Sequence, residues 1–277
     1  MLRGKVVLMI TGAARGIGAS MARLLHRRGA RLVLIDIDGG GLRALADELG
    51  EDVVFTRCDV NDFDAMQAAA KAGVTRFGAI DVVVANAGTE HWAPVKSVEP
   101  DAFRRVIETN VIGVFNTVRS ALSSIVEQRG YVLVVASASS YTAVPGMSAY
   151  GASKAGVEQF ANVLRIELGH HGVAVGSAHM SLVDTPMLRE TQSSSEGFTM
   201  FLAALPAPMR RTVTSDECAL RLVEAIEHRK RHVDVPKWVA FARWLKPVLS
   251  TSLAERQGSQ QMRKIEALGA SSDDIVD

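Results

Sequence analysis

Tyr150 and Lys154 stand four residues apart in Tyr150-Gly151-Ala152-Ser153-Lys154, within a segment of helical character that continues to Leu168. That spacing puts both side chains on one helix face, within a turn of each other. A phenol of ordinary pKa, about 10, is a poor base at neutral pH. A neighbouring ammonium favours the phenolate and brings its pKa toward the working range. Such a pair can take a proton from an alcohol, or give one to a carbonyl oxygen as hydride arrives. Alone, the same spacing also describes an ordinary surface helix.

A second constellation supplies what a hydride would need. Thr11-Gly12-Ala13-Ala14-Arg15-Gly16-Ile17-Gly18 follows an apolar run and opens a helical one. Glycines there let the backbone turn tightly and approach a pyrophosphate, and the helix N-terminus offers free N–H groups and a positive dipole end. Gly12, Arg15, Gly16, Ile17 and Gly18 are therefore candidate cofactor contacts. Asp36 closes the next apolar run, about twenty residues on, where a carboxylate accepts bonds from adenosine ribose hydroxyls. It would repel the 2′-phosphate of NADP by like charge, while the cation of Arg15 pulls the other way. A carboxylate at hydrogen-bonding range outweighs a mobile surface arginine, so NAD is expected over NADP. Asp38 competes for the same role, but strand alternation favours Asp36.

The elements that must carry these residues are legible as short apolar runs alternating with longer helical segments. The runs are Val6–Ile10, Arg31–Asp36, Val53–Thr56, Ile80–Ala85, Tyr131–Ala136, Val173–Ala178 and His232–Val235. Their near-continuous apolarity suits buried parallel strands. In the first helical segment Ile17, Met21, Leu24 and Leu25 share one face, and Arg27-Arg28-Gly29 marks its end. The expected fold is α/β: a Rossmann-type, doubly wound parallel sheet of about seven strands with helices on both faces. One domain is expected over residues 1–250, with a C-terminal tail over 251–277 that closes on a loose acidic end, Ser271–Asp277.

In combination, the glycine turn, the acidic strand end and the Tyr/Lys pair resemble the short-chain dehydrogenase/reductase family in its single-domain branch. The resemblance runs from about Lys5 to about Val235. It implies an enzyme that interconverts a secondary alcohol and a ketone with NAD(H). It also implies roles for further residues: Asp59, with Val60, at the adenine, and Asn86-Ala87-Gly88 as the turn lining the cofactor. Asn110 would hold a water against the lysine, and Ser137, thirteen residues before Tyr150, would steady the substrate oxygen, with Ser139 as an alternative. Lys154 would bond the nicotinamide ribose, and Val183 and Thr185 would reach the carboxamide. The sequence departs from the family pattern at Met180-Ser181, where Pro-Gly is usual. If that glycine serves a positive φ, Ser181 strains the turn by about 1 kcal/mol.

The regular pattern loosens at Thr185–Thr212 and again after Pro236. Met187, Leu188, Phe198, Met200, Phe201, Leu202, Leu205 and Met209 suit either an adaptable pocket for a lipophilic substrate or plain packing on the sheet. The stretch from Trp238 to Leu249 carries an apolar stripe interrupted by Pro247 and flanked by Arg243 and Lys246. Docking on protein is favoured over a peripheral membrane contact. The helices after Asn110 and Tyr150 carry apolar residues beyond what one sheet face needs, including Val114, Val118, Leu122, Ile125, Val157, Phe160 and Leu164. The family resemblance implies that such helices pair across two-fold axes, so a homodimer or homotetramer is expected.

Composition bounds the rest. A formal net charge of +1 over 277 residues argues against nucleic acid as a partner. Cys58 and Cys218, the two cysteines, suggest neither a disulfide framework nor a metal site, and fit a cytoplasmic enzyme. Two rival readings keep the fold without the chemistry: a non-catalytic dinucleotide sensor, and an interfacial scaffold working through the basic C-terminal stripe.

Overall fold

The computed structural model describes residues 6–249 together with 251, 256, 259, 260 and 263. Each of the seven apolar runs becomes a strand of one sheet: β1 (Val7–Thr11), β2 (Arg31–Asp36), β3 (Val53–Arg57), β4 (Val82–Ala85), β5 (Tyr131–Val135), β6 (Ala174–Met180) and, last in the chain, His232–Val235. A two-residue ribbon, β7 (Val183–Asp184) with β8 (Val213–Thr214), lies between, so the final strand is β9. The sheet order is β3-β2-β1-β4-β5-β6-β9, and every pairing is parallel. The expected seven-stranded parallel sheet is the one observed.

Alternation within these buried strands decides which helix packs where. Leu8, Ile10, Leu32, Leu34, Val84 and Leu133 face one side, against α1 (Gly16–Arg27), α2 (Gly39–Leu49) and α10 (Ser215–Glu227). Val7, Met9, Val33, Ile35, Val83 and Val132 face the other, against α3 (Phe63–Phe77), α5 (Gly113–Glu127) and α6 (Ser148–Gly169). α4 (Pro100–Ile107) leads through a π-helical turn, Glu108–Ile112, into α5. Because the strand order reverses between β1 and β4, the loops after those two strands part to opposite faces and leave a crevice at the carboxyl edge.

The segment from Thr185 to Thr212 is not irregular. It folds into α7 (Pro186–Ser194), α8 (Glu196–Ala204) and α9 (Ala207–Arg210), the first capped by the Thr185 hydroxyl and the second by Ser195. Leu188, Phe198, Phe201 and Leu202 do not pack on the sheet. With Met147 they form a separate small core, and Trp92, Val144, Tyr150, Leu182 and Leu205 lie against it. After β9 the chain enters α11 (Val239–Leu249), which continues past Pro247.

Two expectations about surfaces need correction. Val114, Val118, Ile125, Val157 and Leu164 are buried in the chain's own second core, because one sheet face takes all of them. The apolar side chains these helices expose are instead Ile112, Phe115, Val163 and Ile166. The α11 stripe is only half docked. Val239 is buried, whereas Phe241 and Trp244 are 71% and 78% exposed, and Leu245 and Val248 are exposed as well. The tail expected over 251–277 falls almost wholly outside the described residues, as does Ser271–Asp277. Among the described residues, no helix is long and apolar enough to cross a membrane and no side-chain cluster could hold a metal ion. Cys58 and Cys218 are buried free thiols.

Candidate active site

The turn after β1 is built for close approach. Gly12 has φ +65°, and a Cβ there would lie 2.8 Å from Ala87 Cα and 2.9 Å from Asn86 Nδ2. A Cβ on Gly18 would lie 2.0 Å from the Gly12 carbonyl oxygen. Asn86 locks the turn by donating through Nδ2 to the carbonyls of Thr11 (3.0 Å) and Gly12 (3.1 Å). No side chain caps the N-terminus of α1, in contrast to α2, α3 and α10, which Asp38, Asp62 and Thr214 cap. A bare helix N-terminus behind a glycine cradle fits a dinucleotide pyrophosphate.

Asp36 stands at the end of β2, on the wall of the cleft. Its carboxylate accepts from the backbone N–H of Ala14 (2.9 Å) and of Asp38 (3.0 Å), tying the glycine turn to the strand end. Asp38 caps α2 through Gly41 N–H and, unlike Asp36, is not among the residues that line the cleft. Arg15 pairs with Glu190 of α7 at 2.5 Å across an exposed contact. Asp59, Val60, Asn86, Ala87, Gly88, Val183 and Thr185 all line the same cleft as Gly12, Gly16 and Ile17. Gly18 lies one turn behind, where it makes room for the turn. The Thr185 hydroxyl accepts from Leu188 N–H at 3.2 Å, and its methyl lies near Gly16.

The strain expected at Ser181 is absent. Among the described residues, the non-glycine residues with positive φ are Arg129 and Arg229. Ser181 instead continues the sheet edge, donating its N–H to Val235 at 2.8 Å.

Tyr150 and Lys154 share a face of α6, with the Lys154 Nζ 5.6 Å from the centre of the Tyr150 ring. Lys154 is buried and donates to the Val135 carbonyl at 2.9 Å, which anchors it to the end of β5. Burial holds its pKa down to about 8, against an upward pull from Glu90. Burial pushes the Tyr150 phenol well above its ordinary value, and the charge of Glu90 adds to this. A hydrogen bond with Ser137 works in the other direction. The lowering expected from the lysine is not among the influences on Tyr150, where desolvation dominates.

Ser137 caps a 3₁₀ turn, Ala138–Ser140, accepting from Ser139 N–H at 3.2 Å. Ser139, its alternative, has a buried hydroxyl without a hydrogen-bond partner among the described residues. Asn110 is fully buried at the centre of the π-helical turn. Its Oδ1 accepts from Thr89 N–H (2.8 Å), and its Nδ2 donates to Thr89 O (2.9 Å) and Ser153 Oγ (2.9 Å). It joins the loop after β4 to α6 rather than touching Lys154. A Cβ on Gly88 would lie 3.2 Å from Asn110 Oδ1 and 3.5 Å from Lys154 Nζ, so both atoms face the side of Gly88 that carries no side chain.

Two features had no clear signal in the sequence. Glu90 faces the cleft, and its pKa is raised mainly by burial. A charged loop residue gives no hint of this from its neighbours. Beneath the Ser137 turn, His179 of β6 is buried against Ser140 (3.1 Å), the Ser137 carbonyl (3.3 Å) and Ser177 (3.0 Å), and it stacks on Tyr141. Desolvation holds its pKa down to about 3.

The cleft totals about 1570 Å³, above the usual range for a single small ligand. One end carries the glycine cradle and Asp36, and the other carries Ser137, Tyr150 and Lys154 under the apolar roof of α7 and α8. Fold and cleft together define a Rossmann-type dinucleotide enzyme. The sequence profile of the short chain dehydrogenase family matches residues 5–196. Trans-4-hydroxycyclohexanecarboxylate dehydrogenase of Sinomonas cyclohexanicum is 35% identical over 190 residues, 65% of this chain and 73% of that protein. The mitochondrial borneol dehydrogenase of Lavandula x intermedia is 35% identical over 193 residues, 68% and 73% of the two chains. Among solved structures, levodione reductase superposes with a TM-score of 0.79 at 26% identity, over 86% of this chain and 99% of that one. A short chain dehydrogenase/reductase from Burkholderia phymatum in complex with NAD gives 0.77 at 25% identity, over 88% and 93%. The chain belongs to the short chain dehydrogenase family and is an oxidoreductase.

Proposed function

We propose that the protein interconverts a lipophilic secondary alcohol and its ketone, using NAD(H), with Tyr150 as the proton-transferring residue. The observation that carries this reading is the convergence of Ser137, Tyr150 and Lys154 beneath an apolar roof, at the edge of a cleft whose other end fits a dinucleotide. Two relatives, a hydroxycyclohexanecarboxylate dehydrogenase and a borneol dehydrogenase, carry names of cyclic alcohols, which supports the substrate class. NAD-bound neighbours and the position of Asp36 support NAD. The pairing of Arg15 with Glu190 weakens the case for NADP.

Bound NAD(H) supplies the hydride acceptor or donor. In oxidation, Tyr150 accepts the alcohol proton through its phenolate oxygen; in reduction, its hydroxyl donates that proton to the carbonyl oxygen. Ser137 donates to the same oxygen and holds it in place. Lys154 stabilises the phenolate at the moment of transfer, from an anchor on Val135 that leaves little freedom to stray. Asn110 keeps the loop after β4 against α6, which sets the distance between the two halves of the site. The roof excludes water, which strengthens each of these charge interactions.

Replacing Tyr150 by Phe tests the reading directly. Binding of NAD, followed by fluorescence, should be retained, while turnover falls by at least about 10². Turnover that survives the change would remove Tyr150 from the role. A rival reading as a non-catalytic sensor fails if any alcohol in a screen of apolar cyclic substrates reduces NAD.

A further inference from the structure

Glu90 is out of keeping with its surroundings. The chamber beside Tyr150 is walled by Val144, Met147, Leu188, Phe198, Phe201 and Leu202. Of the carboxylates lining the cleft, Asp36 and Asp59 stand at the adenosine end, and Glu90 alone among the described residues acts on both Tyr150 and Lys154. Removing a carboxyl from water is costly, so an acid kept in such a wall needs a partner. Part of the need is met within the chain. Oε1 accepts from the Thr191 hydroxyl at 2.7 Å, and Thr191 is itself buried on α7, which fixes the direction of the carboxyl. Oε2 has no hydrogen-bond partner among the described residues. The second oxygen is left as an acceptor on a residue that lines the cleft beside this apolar wall.

We propose that Glu90 selects the substrate: Oε2 accepts a hydrogen bond from a second hydroxyl on an otherwise apolar alcohol, remote from the carbon that reacts. The preferred substrates are then diols or hydroxyketones on a compact hydrocarbon frame. Carboxylate-bearing alcohols, the kind named for the Sinomonas relative, are disfavoured by like charge. This deepens the reading above and rests on the same chamber. It differs from a structural role for Glu90, in which the residue would serve only to hold α7 through Thr191.

Three ligands of matched frame decide it: cyclohexanol, cyclohexane-1,4-diol and 4-hydroxycyclohexanecarboxylate. Each is titrated by calorimetry into NAD-loaded Tyr150→Phe protein, which holds ligands without turnover, carrying Glu90, Glu90→Gln or Glu90→Leu. With Glu90 the diol should bind at least about tenfold more tightly than cyclohexanol, the scale of one hydrogen bond to a charged group. The advantage should vanish in Glu90→Leu. Glu90→Gln, which keeps an acceptor and the bond to Thr191, should retain part of it while binding the carboxylate severalfold better. Equal binding of diol and cyclohexanol, an advantage that survives Glu90→Leu, uniform weakening of all three ligands, or no binding at all would overturn the proposal. Selective binding of the diol in a protein whose wild type oxidises none of the three would leave the Glu90 site standing and count against the proposed reaction on a lipophilic secondary alcohol.

Discussion

At the scale of single residues, the active site is held by groups whose ordinary ionisation has been altered by burial. Lys154 sits at about 8 rather than near its usual value, and its neighbour Tyr150 is pushed the other way. Neither shift needs a charged neighbour, since desolvation leads in both. His179 is the third such group. It is buried beneath the Ser137 turn and holds two serine hydroxyls and a backbone carbonyl in place as a neutral ring. With its pKa held down to about 3 it refuses the proton that an ordinary imidazole accepts near 6.5. The folded state therefore binds fewer protons at this position than the unfolded state as pH falls below about 6.5, and the difference persists down to about 3. This histidine costs stability on acidification across that window. In a heteronuclear NMR titration its ring signals should stay fixed between pH 8 and pH 5. A His179 midpoint near 6.5 would mean that the network is open to water.

At the scale of elements, the turn between β1 and α1 carries the strictest demand. Gly18 lies in the first turn of α1, where a Cβ would run into the Gly12 carbonyl. A backbone atom cannot swing aside as a flexible side chain can. Gly18→Ala should therefore distort the cradle, lower NAD affinity by at least about tenfold in a fluorescence titration, and reduce stability by about 1–3 kcal/mol. Wild-type affinity in that variant would show that the cradle is looser than its contacts imply. α7 is the second demanding element. Its N-terminus is capped by Thr185 beside Gly16, and Glu190 on it pairs with Arg15. Thr191 on its other face holds Glu90. One short helix thus touches the cofactor turn and the substrate chamber together.

At the scale of the whole molecule, two apolar surfaces stand exposed among the described residues. One comprises Ile112, Phe115, Val163 and Ile166 on the α5/α6 face; the other is the outer face of α11, with Phe241, Trp244, Leu245 and Val248. On α11 the cations turn inward, Arg243 toward Asp234 and Lys246 toward Glu158, so the helix shows hydrocarbon to the outside. Burying large side chains of this kind stabilises by about 1.5–3 kcal/mol each, which favours association. We propose a homodimer or homotetramer formed through these faces. Light scattering at micromolar concentration should give a mass at least twice that of the 29.7 kDa chain, and Phe115→Glu with Ile166→Glu should lower it. A stable monomer would defeat this and favour the membrane contact through α11.

Period and spacing alone determined the parallel sheet, the glycine turn, Asp36 and the Tyr150/Lys154 pair, because each depends on neighbours a few residues away. Strand alternation sorts residues onto two faces, and a spacing of four places two side chains on one helix face, wherever the rest of the chain goes. The tertiary structure decided what depends on residues far apart. It assigned Val118 and Val157 to the chain's own core, since only the packed sheet shows how much of each helix it covers. It removed the strain expected at Ser181, because the backbone angle there is set by pairing with Val235. It tied Arg15 to Glu190, 175 positions away. It also turned Glu90 into the chamber and placed His179 beneath Ser137. Burial of a charge, and the pKa that follows from it, depends on what the folded chain brings around it.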